Sequence, residues 1–247
     1  MLAGNIVQVR LERKALSAAV SPTCCSGREQ RSKTAHAGGA ISLPTKVSSP
    51  FKDMSGQKAA LRKHLRAERR SLSAAEHRRR SGQAAKAVAR LPMFKSGARV
   101  AVYLPFDRET DTAALIAAAR RRGVRLFVPV VSDRRHGRMR FYPLAGRMRR
   151  GTFGIAVPER MTHPLAPRWF DAIVVPFVGI DAAGRRLGMG GGFYDRALAF
   201  RRRRCRWNGP RLVGLGFDCQ RTAAAFADHW DLRLDALATE SGLQYFS

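Results

Sequence analysis

Cysteine is scarce in this chain. The four residues are Cys24, Cys25, Cys205 and Cys219, two adjacent and two far apart. That spacing excludes a disulfide framework and a zinc-finger pattern, and it is consistent with a reducing compartment. The six histidines, at 36, 64, 77, 136, 163 and 229, show no ligand-like pairing. No apolar run reaches the ~18 residues that a membrane span requires. Acidic residues are also few: 18 Asp and Glu face 46 Lys and Arg over 247 residues, a formal charge of +28. Eight basic and three acidic residues precede Met54, so the remainder alone carries 38 against 15. A field of that strength draws in polyanions, and it equally suits an enzyme whose substrates are anionic.

Residues 1–53 are rich in Ser, Ala, Thr, Gly and basic residues, with only Glu12, Glu29 and Asp53 as acids. Neither the helical nor the strand period persists, so this stretch reads as a disordered N-terminal extension. It lacks the apolar h-region of a secretory signal. An organelle transit peptide fits the basic composition, and an upstream extension before a functional start at Met54 fits it better. The expected location is therefore cytoplasmic, or an organelle if residues 1–53 are a transit peptide.

From Gln57 the pattern turns helical, with Leu61 and Leu65 on one face and Lys58 and Arg62, spaced i and i+4, on another. Ser73-Ala-Ala-Glu76 is a capping box that starts a second helix running to about Arg90, ended by Pro92. Strands are predicted at 98–104, 124–131 and 138–142, with a helix from about Thr112 to Arg122 between the first two. A long loop over 144–170 leads to a β-branched run, Asp171 to Ile180, of the kind that forms a strand buried on both faces. A helix over 193–200, a strand at 211–217 and a last helix near 222–229 complete the order. Alternating strands and helices imply a single α/β domain over 54–247, a three-layer α/β/α architecture around a mainly parallel, Rossmann-like open sheet. In such sheets ligands sit at the carboxyl ends of the strands, which gathers the loops after Leu104, Ile180 and Phe217 into one site.

The chemistry is expected in Arg185-Arg186-Leu187-Gly188-Met189-Gly190-Gly191-Gly192-Phe193-Tyr194-Asp195. A P-loop needs Lys-Ser/Thr after its last glycine, and Phe193-Tyr194 stands there; a dinucleotide loop needs glycine where Phe193 sits. It is neither. Glycines between a strand and a helix nevertheless let backbone N–H groups approach an anion, the two arginines add charge, and Asp195 offers a carboxylate for a metal beside phosphates. A flexible turn without a ligand remains the alternative.

A nucleic-acid-binding protein is the second reading that the charge invites. The arginine runs at 78–80, 120–122 and 201–204 fall on, or at the ends of, predicted helices, where they are solvated. No RRM, KH, zinc-finger or helix-turn-helix pattern appears. Specific nucleic-acid recognition is not expected. A different phosphate-binding enzyme on the same scaffold is a third reading.

The run Pro176 to Arg196 resembles the signature of the 5-formyltetrahydrofolate cyclo-ligases, also called methenyltetrahydrofolate synthetases. Further matches follow in order: Lys58 to Arg62, Glu109 to Thr112, Phe153-Gly154-Ile155, Gly214 to Gln220, and Asp235 through Glu240. The resemblance implies an ATP- and Mg2+-dependent closure of 5-formyltetrahydrofolate, with or without a polyglutamate tail, to 5,10-methenyltetrahydrofolate, with ADP and phosphate released. A monomer is expected, and without a long apolar run no membrane partner is. By position, Lys58 and Arg62 would reach the ATP phosphates, and Arg186, Leu187, Gly188, Met189, Gly190, Gly191, Gly192, Phe193 and Tyr194 would form the phosphate loop. Arg186, Tyr194 and Lys58 would be the catalytic groups. Asp195 and Asp231 would hold magnesium, while Leu104, Glu109, Phe153 and Tyr194 would contact the folate. The bland counterparts are a solvated helical face for Lys58 and Arg62, a capping role for Asp231, a loop charge for Glu109 and core packing for Leu104 and Phe153. The chain departs from the family in having Phe193 where tyrosine is common, Met189 where an aromatic or basic residue is common, and one extra residue at Ala156 to Glu159.

Overall fold

The computed structural model describes residues 50–133, 135–203, 209–223 and 231–246. Helix α1 spans Pro50–Ser71, so the last four residues of the stretch read as a disordered extension are helical and the helix begins seven residues before Gln57. The remainder of that extension, and the helix expected near 222–229, lie outside the described residues apart from 222 and 223. Helix α2 (Ala74–Ala89) opens with the predicted capping box: the Glu76 N–H donates to Ser73 Oγ at 3.2 Å, and the Ser73 N–H donates to Glu76 Oε2 at 3.2 Å.

Five parallel strands form the centre of the sheet: β1 (Arg99–Ala101), β2 (Arg125–Asp133), β6 (Ala172–Val175), β9 (Arg211–Leu215) and β10 (Ala236–Thr239). Strands β3 (Arg138–Pro143) and β11 (Gly242–Tyr245) add antiparallel edges, in the order β11-β10-β9-β6-β1-β2-β3. Alternation along the strands divides the core. Val100, Leu126, Val128, Ala172, Val174, Val213, Leu215 and Ala238 pack under α2 and α3 (Ala113–Arg121). Ala101, Phe127, Ile173, Val175, Leu212 and Leu237 face the other way, toward Leu198, Phe170, Phe177, Leu232 and Leu234. The three-layer α/β/α expectation holds, with one outer layer built from short helical pieces and loops among the described residues.

Two expected elements differ. The 144–170 stretch is not a plain loop: it carries the hairpin β4 (Met148–Arg150) and β5 (Ala156–Pro158). Strands of three residues, one of them wholly exposed, leave no period to read. The run 171–180 is not one strand either. Pro176 ends β6, and the chain re-forms as β7 (Gly179–Ile180), paired antiparallel with β8 (Arg186–Leu187). Off the sheet, the carbonyls of Phe177 and Val178 accept from the buried Gln220 amide at 2.7 and 3.1 Å instead of from a neighbouring strand.

Loss of the α2 cap tests how far local chemistry holds this scaffold. Ser73→Ala leaves the Glu76 N–H of the first turn without its side-chain acceptor and should cost about 1 kcal/mol. Chemical denaturation reads it as a lower midpoint at unchanged slope.

Candidate active site

Strand order reverses between β1 and β6: from β1 the chain winds outward to β2, then returns to β6 and winds the other way to β9 and β10. Ligands bind at such a reversal, outside the carboxyl ends of the strands. A cleft of about 990 Å³ opens there, lined by Tyr103 and Leu104 after β1, Pro129 and Val131 of β2, and Pro176 after β6. Pro129 interrupts no ladder on the β1 side, because β1 pairs only as far as Ala101 with Phe127. The far end of β2 is thus a free wall of the cleft.

The glycine segment closes one side. Arg186 and Leu187 belong to β8; Gly188 to Gly192 form the loop, and α4 (Phe193–Ala197) follows. Gly190 (φ 97°) and Gly192 (φ 60°) take left-handed backbone, which is why glycine is needed at those two positions. The helix expected over 193–200 stops at Ala197 and continues as a 3-10 turn over Ala199–Arg203. A single α-turn aligns few peptides, so cations and loop N–H groups provide the positive potential here more than a helix dipole does. Arg62 Nε donates to the Gly188 carbonyl at 2.9 Å and ties α1 to the loop.

Charge inside the cleft is already paired. Arg186, 5% exposed, donates from Nη2 to Asp195 Oδ1 at 2.6 Å, and the Leu232 N–H donates to the same oxygen at 3.2 Å. Its guanidinium lies 5.7 Å from the Tyr194 ring centroid, and its buried Nε has no hydrogen-bond partner among the described residues. Lys58 Nζ stands 3.9 Å from Asp231 Oδ2, with its side chain 13% exposed. Lys58 therefore lies in the cleft and not on a solvated helical face. The two faces assigned to α1 adjoin, since Leu61 and Leu65 pack inward on Val178 and Leu187 beside the cations.

Glu109 occupies the opposite side. It is buried, its Oε2 accepts from the Phe106 N–H at 3.0 Å, and burial raises its carboxyl to about 7. The same desolvation, with the nearby Glu109 charge, pushes the Tyr194 hydroxyl well above its usual range. It stays protonated at neutral pH and is a donor, although the residue is only half-buried by surface area. The Glu109 carboxyl and the Arg186 cation act on the Tyr194 hydroxyl in opposite senses, the first raising it and the second lowering it.

The cleft brings together Lys58, Arg62, Leu104, Glu109, Arg186, Leu187, Gly188, Met189, Gly190, Gly191, Gly192, Phe193, Tyr194, Asp195 and Asp231. Phe153 sits on the 3-10 turn Thr152–Gly154, and its side chain lies outside the described residues, while its neighbours Ile155 and Ala156 line the cleft. All three loops expected to meet reach the cleft: the connection after Phe217 contributes Asp231, while its first described part, the 3-10 turn Asp218–Gln220, packs against α1 instead. Sequence reading missed Tyr103, Phe106, Met139, Arg196 and Arg202 in the lining. Arg196 lay inside the glycine signature without a role, and the others carry no local signal.

Fold and cleft together define an α/β enzyme with a cation-rich cleft at the reversal of a mainly parallel sheet. The chain belongs to the 5-formyltetrahydrofolate cyclo-ligase family, whose model matches residues 54–240. It is similar to the 5-formyltetrahydrofolate cyclo-ligase of Escherichia coli K12, 32% identical over 182 residues that cover 72% of this chain and 97% of the relative. The cyclo-ligase of Haemophilus influenzae is 30% identical over 183 residues, 70% of this chain and 92% of that protein. Among solved structures, the Aquifex aeolicus 5,10-methenyltetrahydrofolate synthetase aligns with a TM-score of 0.65 at 32% identity, covering 76% of this chain and 92% of that one. The reaction of this family is the ATP-dependent cyclisation of 5-formyltetrahydrofolate.

The Glu109 carboxyl makes a signed prediction. Its proton is held more tightly in the folded protein (about 7) than at the ordinary value of 4.5, so this group's contribution to stability is greatest below 4.5 and is lost as pH rises toward 7. Relative to the wild type, Glu109→Gln should gain about 3 kcal/mol between those pH values. Denaturant unfolding of both proteins across the range checks it; parallel curves would show that Glu109 is not desolvated.

Proposed function

We propose that the cleft binds ATP and 5-formyltetrahydrofolate side by side and closes the folate ring through phosphorylation of the formyl oxygen. ATP transfers its γ-phosphoryl to that oxygen. The folate N10 then forms a bond to the formyl carbon, the bond from that carbon to the phosphorylated oxygen breaks, and 5,10-methenyltetrahydrofolate, ADP, phosphate and the N10 proton leave. Phosphoryl transfer asks a protein for positioning and charge neutralisation more than for a nucleophile. The cleft is suited to that: five cations, Lys58, Arg62, Arg186, Arg196 and Arg202, against the three carboxylates Glu109, Asp195 and Asp231.

The observation that carries this reading is the pairing of each expected metal carboxylate with an expected phosphate cation, Asp195 with Arg186 and Asp231 with Lys58. Without ligands each pair neutralises itself. Phosphate oxygens would draw Arg186 and Lys58 away, and the released carboxylates fit the oxygen-only donor set of Mg2+. No group of three or more His, Cys, Asp or Glu stands close enough for an all-protein metal cage among the described residues, so phosphate and water would complete the ion's shell. Asp195 and Asp231 would hold magnesium, which when bound would supply positive charge against the phosphates. Arg186 would move its charge onto the transferred phosphoryl, and the protonated Tyr194 hydroxyl would donate to the formyl oxygen or to the phosphate formed on it. Glu109 in its ionised form would accept from two adjacent N–H groups of the pterin. Leu104 would be an apolar wall, and Phe153 a stacking ring. The surplus of cations also suits a glutamate tail on the folate.

Mixing the protein with 5-formyltetrahydrofolate and magnesium, with and without ATP, should raise absorbance in the methenyl-folate band only when ATP is present. ATP binding without any rise would keep the phosphate cleft and discard the folate in favour of another anionic acceptor. Lys58→Ala should raise the KM for ATP on the order of tenfold or more, since it removes a charged phosphate contact. Asp195→Asn should shift half-saturation by magnesium upward by a similar factor; titrations superimposable on wild type would take that residue off the metal.

A further inference from the structure

We propose that Arg69 is a positioning residue for the cyclisation: it holds the turn Phe106–Glu109 in a strained form that presents the Glu109 carboxyl to the cleft. The inference rests on the reading of Glu109 as the group that recognises the pterin.

Arg69 lies in the last turn of α1 and is 1% exposed, a rare place for an arginine. Its Nη2 donates to the Asp107 carbonyl at 2.7 Å and to Asp107 Oδ2 at 3.3 Å. The adjacent Arg70 donates from Nε to Asp107 Oδ1 at 2.8 Å, so two consecutive arginines of one helix grip a single aspartate. The grip is needed because Asp107 (φ 51°) and Arg108 (φ 57°) are consecutive non-glycine residues in the left-handed region. Such backbone persists only when its surroundings over-determine it, and it concentrates at functional sites. The other restraints come from α2 and from the turn itself. His77 Nε2 lies 3.2 and 3.0 Å from the carbonyls of Arg108 and Glu109, and Arg108 donates to the Leu72 carbonyl. Within the turn, the Glu109 N–H donates to the Phe106 carbonyl at 3.0 Å while the Phe106 N–H donates to Glu109 Oε2 at 3.0 Å. That reciprocal pair aims the carboxyl.

Arg69 also acts on Glu109 through charge. The groups that face the Glu109 carboxyl are Arg69 from α1, Asp107 from its own turn, Tyr103 after β1 and Tyr194 from α4. Burial raises the Glu109 carboxyl most, the Phe106 N–H bond lowers it, and among the facing charges Arg69 lowers it while Asp107 raises it. Lys58, Arg62 and Arg69 follow one another at spacings of four and seven residues, so they lie along one stripe of α1. One helix therefore carries two cations of the proposed phosphate site and the clamp on the proposed pterin site.

The test compares Arg69→Met, Arg69→Lys and Glu109→Gln in the full chain. KM values for 5-formyltetrahydrofolate and for ATP are read as functions of pH, with unfolding midpoints alongside. For Arg69→Met the folate KM should rise on the order of tenfold as the turn relaxes, with the ATP KM changed less than about twofold. The pH at which folate KM improves with Glu109 ionisation should move upward, because the neighbouring cation is gone. Arg69→Lys keeps the charge without the fork, so folate KM should rise while the pH midpoint stays near wild type. A lower unfolding midpoint with folate KM and pH midpoint both unaltered would make Arg69 merely structural and overturn the proposal. If Arg69→Met does not fold, Arg69→Lys decides by the same KM split. Glu109→Gln separates the two levels. If it leaves folate KM and its pH dependence unchanged, the reading of Glu109 falls and the role of Arg69 with it. If it changes them while both Arg69 variants do not, Arg69 alone is wrong.

Discussion

The reversal of strand order between β1 and β6 is the constraint on which the site depends. Two halves of the sheet wind away from that line in opposite directions, so no connection covers the carboxyl ends of its central strands. Strand lengths reinforce the opening. β1 pairs with β2 only through Ala101, β6 stops before Pro176, and β2 runs on past both. A crevice of about 990 Å³ follows from that mismatch, with Pro129 and Pro176 at its walls, where a missing N–H leaves no donor unpaired.

Across this crevice α1 serves as a brace. Its inward stripe packs Leu61 and Leu65 on Val178 and Leu187 of the glycine hairpin, so closely that a Cβ at Gly179 would meet Leu65 Cδ1 at 2.5 Å and displace it. The same stripe carries Lys58 and Arg62 to the loop and Arg69 to the turn that bears Glu109. A helix is stiff over its length, so contacts at its middle and in its last turn fix the distance between the elements they touch. The apolar contacts set the position of the helix, and the charged ones use it.

The high positive charge is in part internal to the fold. Arg80 bridges Glu76 and Glu240 at 3.2 and 3.0 Å, Arg201 reaches Asp235 at 3.0 Å, and Arg122 bonds the Ala89 carbonyl. In each case a residue from a run that resembles a nucleic-acid patch closes a contact between elements. In the cleft the same arginine chemistry is desolvated, and there a cation paired with a carboxylate becomes a store of charge that an anionic ligand can redirect.

Much of this was legible along the chain. Periodicity located α1, α2, α3 and most of the sheet, the Ser73-Glu76 spacing located a cap, and the glycine segment with its arginines and Asp195 located one wall of the cleft. Those are local features, set by propensity, patterning and backbone freedom over a few residues. Tertiary structure alone decided the rest. Ala236–Thr239 and Gly242–Tyr245 became strands because a sheet edge was there to pair with, although Ala-Leu-Ala-Thr has no strand preference of its own. The run to Ile180 broke at Pro176 because the neighbouring strands end there and Gln220 takes over its carbonyls. Asp107 and Arg108 hold left-handed backbone because Arg69, 38 residues away from Asp107, reaches them through the fold. The sequence by itself determined which residues could bind phosphate and carry charge. Which of them meet, and that burial raises the Glu109 carboxyl to about 7 against the Phe106 N–H and the Arg69 cation, required long-range packing, which no local spacing encodes.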